Sequence, residues 1–312
     1  MKKILAFGEV LWDMIPSGKQ VGGAPGNFAY HARAFGADAR ILSRIGNDGL
    51  GTEMIGELRK CGVPTDLIGL DTELPTGTVE VELNRNGQPK YRIIEDVAWD
   101  RIEAKSNALA FAASVDAVCF GTLAARSESN LRALGRILTE SPTSALRVLD
   151  LNLRAPFYSK ELIYELLPLA SVLKVSDSEL ITLGEIAGRP LASEPFLDNQ
   201  NGRIVLSADK YAAVHRLVTD WRLKYLILTC GGKGSFLFDR NGNESYAPAA
   251  PTKIVSTVGA GDAFTAAATI GFLEQRDLAV INRAANRYAA YVCSEPGGMP
   301  PIPKGVAHWD AE

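Results

Sequence analysis

The run Thr257-Val258-Gly259-Ala260-Gly261-Asp262-Ala263-Phe264 leads into the apolar stretch TAAATIGFLEQ. Two glycines around an alanine let a backbone approach a ligand closely. The unpaired N–H groups of the helix that follows point back at the same spot. Such a turn binds a negative group and would stabilise charge on a transferring phosphoryl. Asp262 falls in the first helical turn beside it. A carboxylate there can take the proton of a substrate hydroxyl as that hydroxyl attacks a γ-phosphate. The same residue would also serve as a first-turn acid that caps the helix and offsets its dipole, worth roughly 1 kcal/mol. On GxGD alone the two readings weigh equally.

A second Gly-rich turn, Val21-Gly22-Gly23-Ala24-Pro25-Gly26-Asn27, opens another helix with Pro in its first residues. By itself it reads as a tight strand-to-helix connection. Its polar company says more, because Glu9 and Asp13 lie at or just beyond the end of the first strand. Ligands of open α/β sheets collect beyond the carboxyl ends of strands. Asp13 sits between Trp12 and Met14, so it needs polar partners, and sugar hydroxyls would suit. Glu9 could equally be a structural hydrogen-bond acceptor.

Other residues attract attention and lose it. Gly231-Gly232-Lys233-Gly234-Ser235 looks like a P-loop, but the glycine required five positions before Gly232 is Ile227. His31, His215 and His308 are scattered without metal-ligand spacing. Cys61, Cys119, Cys230 and Cys293 form no CxxC pair, so small buried residues are expected rather than zinc ligands or disulfides. His31 should be partly buried on its helix. Trp99 could stack on a substrate, with packing the favoured role. Arg283 and Arg287, four apart, read as a solvated face.

The elements that must position these residues alternate as short apolar runs and amphipathic stretches, the βαβ pattern of a mostly parallel sheet flanked by helices. Strands are expected at residues 4–7, 40–45, 117–120, 148–151, 172–175 and 225–229. Helices are expected at about 24–35, 52–60, 128–138, 160–167 and 208–221. Residues 76–94 break the rhythm with period-two alternation on both sides of Asn86-Gly87. That is a strong hairpin signal, since both residues tolerate the positive φ of a type I′ turn. A hairpin in a βαβ chain implies a small sheet outside the main one, serving as a lid, a dimerisation surface or both. Residues 187–207 read as a surface loop.

The 312 residues suit one large α/β domain with an appended subdomain. Hydrophobic residues make up 46% and charged residues 22%, the balance of an ordinary globular protein. A net charge of −3 gives no global field toward nucleic acid or anionic lipid. Glu9 and Asp13 interrupt the N-terminal apolar run too early for a signal peptide, and no stretch approaches a membrane span. A soluble, cytoplasmic protein is expected.

Together these motifs resemble the ribokinase-like (PfkB) carbohydrate kinases. Gly22-Gly23 with Asn27 is similar to the family's first signature, and Thr257 through Asp262 to its second. Gly8-Glu9-Val10-Leu11-Trp12-Asp13 with Pro16, and Gly23-Ala24-Pro25-x-Asn27, resemble the fructokinase branch. Asp150-Leu151-Asn152-Leu153-Arg154 resembles the central D-x-N-x-R strand end. Thr229-x-Gly231-x-x-Gly234 resembles the nucleotide loop, and Gly297-Gly298-Met299-Pro300 the C-terminal loop. The similarity runs along nearly the whole chain.

The resemblance implies one ribokinase-like α/β domain over residues 1–312, with a small antiparallel β lid from about 10–20 and 74–98. It implies an ATP-dependent sugar kinase, fructose being the first expectation. A 2-keto-3-deoxygluconate kinase, a ribokinase and a nucleoside kinase follow, with a non-catalytic sugar- or nucleotide-binding relative as the alternative of another class. Asp262 would be the base, with Gly259, Ala260 and Gly261 as the anion hole. Asp13, Gly22, Gly23 and Asn27 would hold the sugar, and Arg154 would contact phosphate or substrate or else form a surface salt bridge. Thr229, Gly231 and Gly234 would line the ATP groove, with Asn286 near the adenine. Glu179 of Ser176-Asp177-Ser178-Glu179 would support Mg²⁺ mostly through water. Activation by a monovalent cation (K⁺) is a weakened expectation, because Ser256 stands where the second signature usually opens with Asp. Glu95–Asp100 stands where fructokinases carry an Arg-containing stretch, which points to an altered sugar pocket. A homodimer through the exposed lid edge is compatible with these features. A Rossmann dehydrogenase is disfavoured, since G-x-G-x-x-G and its later acidic residue are missing.

Overall fold

The computed structural model describes residues 1–15, 18–83, 89–200 and 202–309. In chain order the strands are β1 (Lys3–Phe7), β2 (Leu11–Ile15), β3 (Gly18–Gly22), β4 (Asp38–Gly46), β5 (Ile68–Asp71), β6 (Thr78–Leu83), β7 (Pro89–Ile93) and β8 (Ala117–Gly121). They continue as β9 (Leu146–Asp150), β10 (Val172–Ser176), β11 (Leu197–Gln200), β12 (Arg203–Leu206), β13 (Tyr225–Thr229), β14 (Ser235–Asp239) and β15 (Glu244–Ala247). The helices are α1 (Ala24–Ala34), α2 (Gly49–Lys60), α3 (Ser106–Ala112), α4 (Glu128–Glu140), α5 (Lys160–Leu166), α6 (Asp177–Ile186), α7 (Ala208–Asp220), α8 (Ala260–Leu273) and α9 (Leu278–Cys293). No described helix is long and apolar enough to cross a membrane.

Nine strands form one sheet in the order β15-β14-β13-β10-β9-β8-β1-β4-β5. Neighbours from β13 to β5 are parallel, and β14 and β15 extend one edge antiparallel. Its strands are apolar on both faces because helices cover both. Ile4 and Ala6 pack with residues of α1, α2, α8 and α9, whereas Leu5 and Phe7 pack with residues of α3 to α7. The chain leaves β1 toward β4 and β5, then returns to build β8, β9, β10 and β13 on the other side. That reversal opens a crevice beyond the carboxyl ends of β1 and β8.

A separate sheet has the order β3-β2-β6-β7. Two antiparallel ribbons, β2/β3 and β6/β7, meet through one parallel contact between β2 and β6. Pairing of β6 with β7 matches the alternation around Asn86-Gly87; that turn, like Pro16, lies outside the described residues.

Side chains from the main domain tie this sheet down. The Asp48 carboxylate accepts N–H bonds from Gly51 (2.7 Å) and Thr76 (2.8 Å) and the Thr76 hydroxyl (2.7 Å), capping α2 while gripping the chain as it enters β6. Trp12 Nε1 donates to the Leu50 carbonyl at 3.0 Å. Trp99 is fully buried, and a Cβ at Gly77 would lie 2.2 Å from its Nε1. Asp100 accepts two bonds from Arg126 (2.8 and 2.9 Å), whose guanidinium stacks between Trp99 and Phe157. Trp99 is thus a packing residue.

Three further details differ from the sequence reading. α2 begins at Gly49 rather than 52, because the Asp48 cap carries the helix through two glycines. Residues 187–207 contain the antiparallel pair β11/β12 rather than loop alone. His31 is wholly buried, its ring nitrogens bonded with the Tyr288 hydroxyl and the Gly298 carbonyl oxygen, both at 2.9 Å. All four cysteines are free; Cys119 and Cys230 are buried, Cys61 and Cys293 half-buried.

Candidate active site

The two glycine turns meet. Gly259 adopts a left-handed conformation (φ 79°, ψ −10°) and starts α8. A Cβ there would lie 2.7 Å from the Gly298 backbone, so glycine is required on packing as well as conformational grounds. Asp262 follows in the first turn of α8. Across from it, Gly23 (φ 105°) starts α1, and a Cβ on Gly23 would strike the Glu9 carbonyl oxygen at 2.4 Å. Asn27 is thereby set to donate from Nδ2 to Asp262 Oδ2 at 2.8 Å. Gly298 packs against the Asn27 carboxamide, closing the pair from behind.

A cavity of about 450 Å³ opens here, with Gly23, Asn27, Gly259, Gly261 and Asp262 on its α1 and α8 side. Asp13, Ile15, Gln20, Val79 and Ile93 line it from the small sheet, and Glu9, Asn152, Arg154 and Lys174 from the sheet ends. Asp13 projects over Gly22, where a Cβ would come within 2.4 Å of its Oδ2. Arg154 forms no ion pair among the described residues. Glu95–Asp100 contributes nothing to the lining, so its unusual sequence serves the Trp99–Arg126 anchor instead.

The electrostatics follow from burial. The Asp262 carboxyl is pushed up to about 6 by burial and by Asp150, against Asn27, Lys174 and Arg154. Asp13 is likewise raised to about 6 by burial, with Arg154 opposing. Lys174, a charged residue inside buried β10, bonds Asp150 at 3.0 Å, and Thr265 donates to the same carboxylate at 3.2 Å. Burial works against the Lys174 charge, but Asp150 and Glu179 outweigh it and hold its pKa up. Its ammonium lies beside Gly261, 3.4 Å from where a Cβ would be. Fixed positive charge and α8 N–H groups therefore face the same point.

The other sequence candidates lie elsewhere. Thr229 ends β13, and Gly231 and Gly234 bracket the turn into β14 with φ of 53° and 99°. The Asn286 amide is buried and donates to Ser235 Oγ and the Asn282 carbonyl. Glu179 caps α6: its two oxygens accept the N–H groups of Ser176 (2.7 Å) and Leu153 (2.9 Å). Sequence reasoning missed Lys174 and the Asn152 backbone (φ 41°). The signal for Lys174 was a lysine interrupting the apolar run Val172–Val175.

Comparison with known proteins places the chain by family and fold. Probable fructokinase-4 of Arabidopsis thaliana is 26% identical over 326 residues, covering 96% of this chain and 93% of its own. The structure superposes on a fructokinase of Xylella fastidiosa, solved with bound ATP, with a TM-score of 0.79 at 19% identity, covering 95% and 94% of the two chains. A sugar kinase of Pyrococcus horikoshii gives a TM-score of 0.75 at 25% identity, covering 96% and 94%. The family model for the pfkB family carbohydrate kinases matches residues 4–305, and the chain belongs to that family of ribokinase-fold enzymes.

Proposed function

We propose that this carbohydrate kinase transfers the γ-phosphoryl of ATP to the primary hydroxyl of a small sugar, fructose foremost. One observation carries the reading: a half-buried carboxylate, Asp262, aimed by Asn27 into a polar cavity at the N-terminal turn of α8. Asp262 takes the hydroxyl proton, and the N–H groups of Gly259, Ala260 and Gly261 receive the charge developing on the phosphoryl oxygens. Asp13, Gly22, Gly23 and Asn27 form the sugar side. Gly22 leaves room for the Asp13 carboxylate, and Asn27 holds the base. Arg154 offers its guanidinium to phosphate. Relatives named fructokinase support the choice of sugar, and the ATP bound to the Xylella enzyme supports the donor.

ATP would run from the Thr229–Gly234 turn to the α8 turn. Asn286, committed to Ser235 and Asn282, shapes the adenine side from beneath. Among the described residues no cluster of three or more His, Cys, Asp or Glu can hold a metal ion. The residues therefore fit Mg²⁺ only as a phosphate-bound, largely hydrated ion. Glu179, with lone pairs left beyond its two backbone bonds, would accept from such waters. Mg²⁺ so bound neutralises phosphate charge. The small sheet acts as a lid that excludes water, and its free edges could pair two copies.

The test is ADP release with Mg-ATP over fructose, ribose, tagatose, 2-keto-3-deoxygluconate and adenosine, alongside Asp262→Asn. Turnover on fructose that disappears in the variant is expected. Turnover on no acceptor would instead indicate a non-catalytic binder. The unpaired Arg154 guanidinium favours one second reading, an acidic sugar such as 2-keto-3-deoxygluconate, which the same panel decides.

A further inference from the structure

Glu9 is a buried acid of this site that phosphoryl transfer, as described, leaves without a role. It lies two residues beyond β1, is 4% exposed, and lines the sugar cavity. It also lines a second cavity of about 20 Å³ that it shares with Asp262, Asp150, Asn152 and Thr122. That volume suits one water, and the polar groups around it can supply the two to four partners a buried water needs. Once a phosphorylated sugar stands in front of Asp262, with Asn27 on its Oδ2, that cavity offers the proton another route.

We propose that Glu9 is the second proton carrier of this site, receiving through one water in that cavity the proton that Asp262 takes from the sugar. The proposal rests on Asp262 being the base. As the sugar oxygen bonds to the γ-phosphorus, its O–H bond breaks toward Asp262 and the bond from phosphorus to the bridging oxygen of ADP breaks. Asp262 then passes the proton to the water, which gives one of its own to Glu9. The water is unchanged, Asp262 is a carboxylate again, and Glu9 releases its proton into the larger cavity after product departs.

The surroundings suit the exchange. Facing Glu9 are Asp262 from α8, Asp13 from β2, Cys119 from β8, Asp150 from β9, Arg154 from the loop beyond it and Lys174 from β10. From α1 come Asn27 and the Ala24 N–H, which favours the ionised Glu9 carboxyl. Burial and the Asp262 charge push the Glu9 carboxyl up to about 7, against its backbone hydrogen bonds and Arg154. Asp262 stands at about 6, so the two acids are close enough for a proton to pass between them with little driving force lost. As neighbours they titrate as a coupled pair.

The experiment is the pH dependence of kcat from pH 4.5 to 9 for the native enzyme, Glu9→Gln, Glu9→Asp and Asp262→Asn, with thermal melting of each. The native acid limb should fall with two protons. Glu9→Gln should melt no lower than the native enzyme, keep its sugar KM, lose about 10- to 100-fold in kcat, and show a one-proton limb near pH 6. Glu9→Asp should recover the two-proton limb. A Glu9→Gln enzyme with an unchanged limb, or one impaired uniformly through a raised sugar KM, overturns the relay and makes Glu9 a backbone or sugar anchor. If Glu9→Gln melts early, native kcat in H₂O–D₂O mixtures decides: a curved dependence supports two moving protons and a linear one overturns them. Full turnover in Asp262→Asn would sink the base itself, a separate failure.

Discussion

As the proposed base, Asp262 would work ionised in a place that disfavours charge, and this tension sets two measurable properties. Its carboxyl stands at about 6 because of burial and Asp150, so turnover should fall as pH drops through about 6. The folded protein also binds this proton more tightly than the unfolded chain, whose carboxyl titrates near 3.8. The stability contributed by the group is therefore complete below that value and lost as pH rises through 6. Asp262→Asn should accordingly melt higher than the native enzyme at pH 8, by the equivalent of at most about 3 kcal/mol, while turnover falls by several orders of magnitude. Calorimetry at pH 8 and pH 5 checks the sign, with the advantage shrinking at the lower pH. A variant that melts lower at pH 8 would mean the Asn27 hydrogen bond outweighs burial. Gly298→Ala tests the same pair from behind: its Cβ would lie 2.7 Å from Asn27 Oδ1, pushing Asn27 off Asp262. We expect at least a tenfold loss of kcat with unchanged far-ultraviolet circular dichroism.

At the scale of elements, α2 and the small sheet share one carboxylate. Asp48→Ala removes the α2 cap and both bonds to Thr76, which should cost about 2–4 kcal/mol in urea unfolding. A cost below 1 kcal/mol would show that packing alone seats the sheet. Local chemistry of this kind explains what the sequence disclosed. Gly-rich turns before α1 and α8, and the period-two alternation of β6 and β7, are written in neighbouring residues. The Asn27–Asp262 bond spans 235 positions, and no local pattern announces it. The Glu95–Asp100 stretch gives the cavity no lining residue, and its anchor, Arg126, lies on another element. Asp48 carries no chemical signal of its own, because its hold on Thr76 joins residues 28 positions apart. Lys174 was legible as an anomaly, a charge inside an apolar strand, but only its neighbours Asp150 and Gly261 give it meaning.

At the scale of the molecule, the cavity is assembled from distant parts of the chain, residues 9–27, 79–93, 123, 152–174 and 257–262. Its phosphate side, Gly259–Asp262, belongs to α8 and the rigid sheet, whereas Asp13, Gln20, Val79 and Ile93 belong to the four-stranded sheet. A sugar held as proposed would bridge these two bodies, whereas a nucleotide at the Thr229–Gly234 and α8 turns would touch only the first. Ligands that bind across two bodies slow their local opening, and those that bind one body do not. Amide hydrogen exchange in β2, β3, β6 and β7 should therefore slow with sugar plus a non-hydrolysable ATP analogue, and stay near the free rate with the analogue alone. Equal protection by the analogue alone would assign the small sheet to the nucleotide. No protection in either case would make it a static wall rather than a lid. Protection that instead grows with protein concentration would place a second copy on its free edges, because an unpaired strand edge offers its N–H and C=O groups to any strand that can reach them.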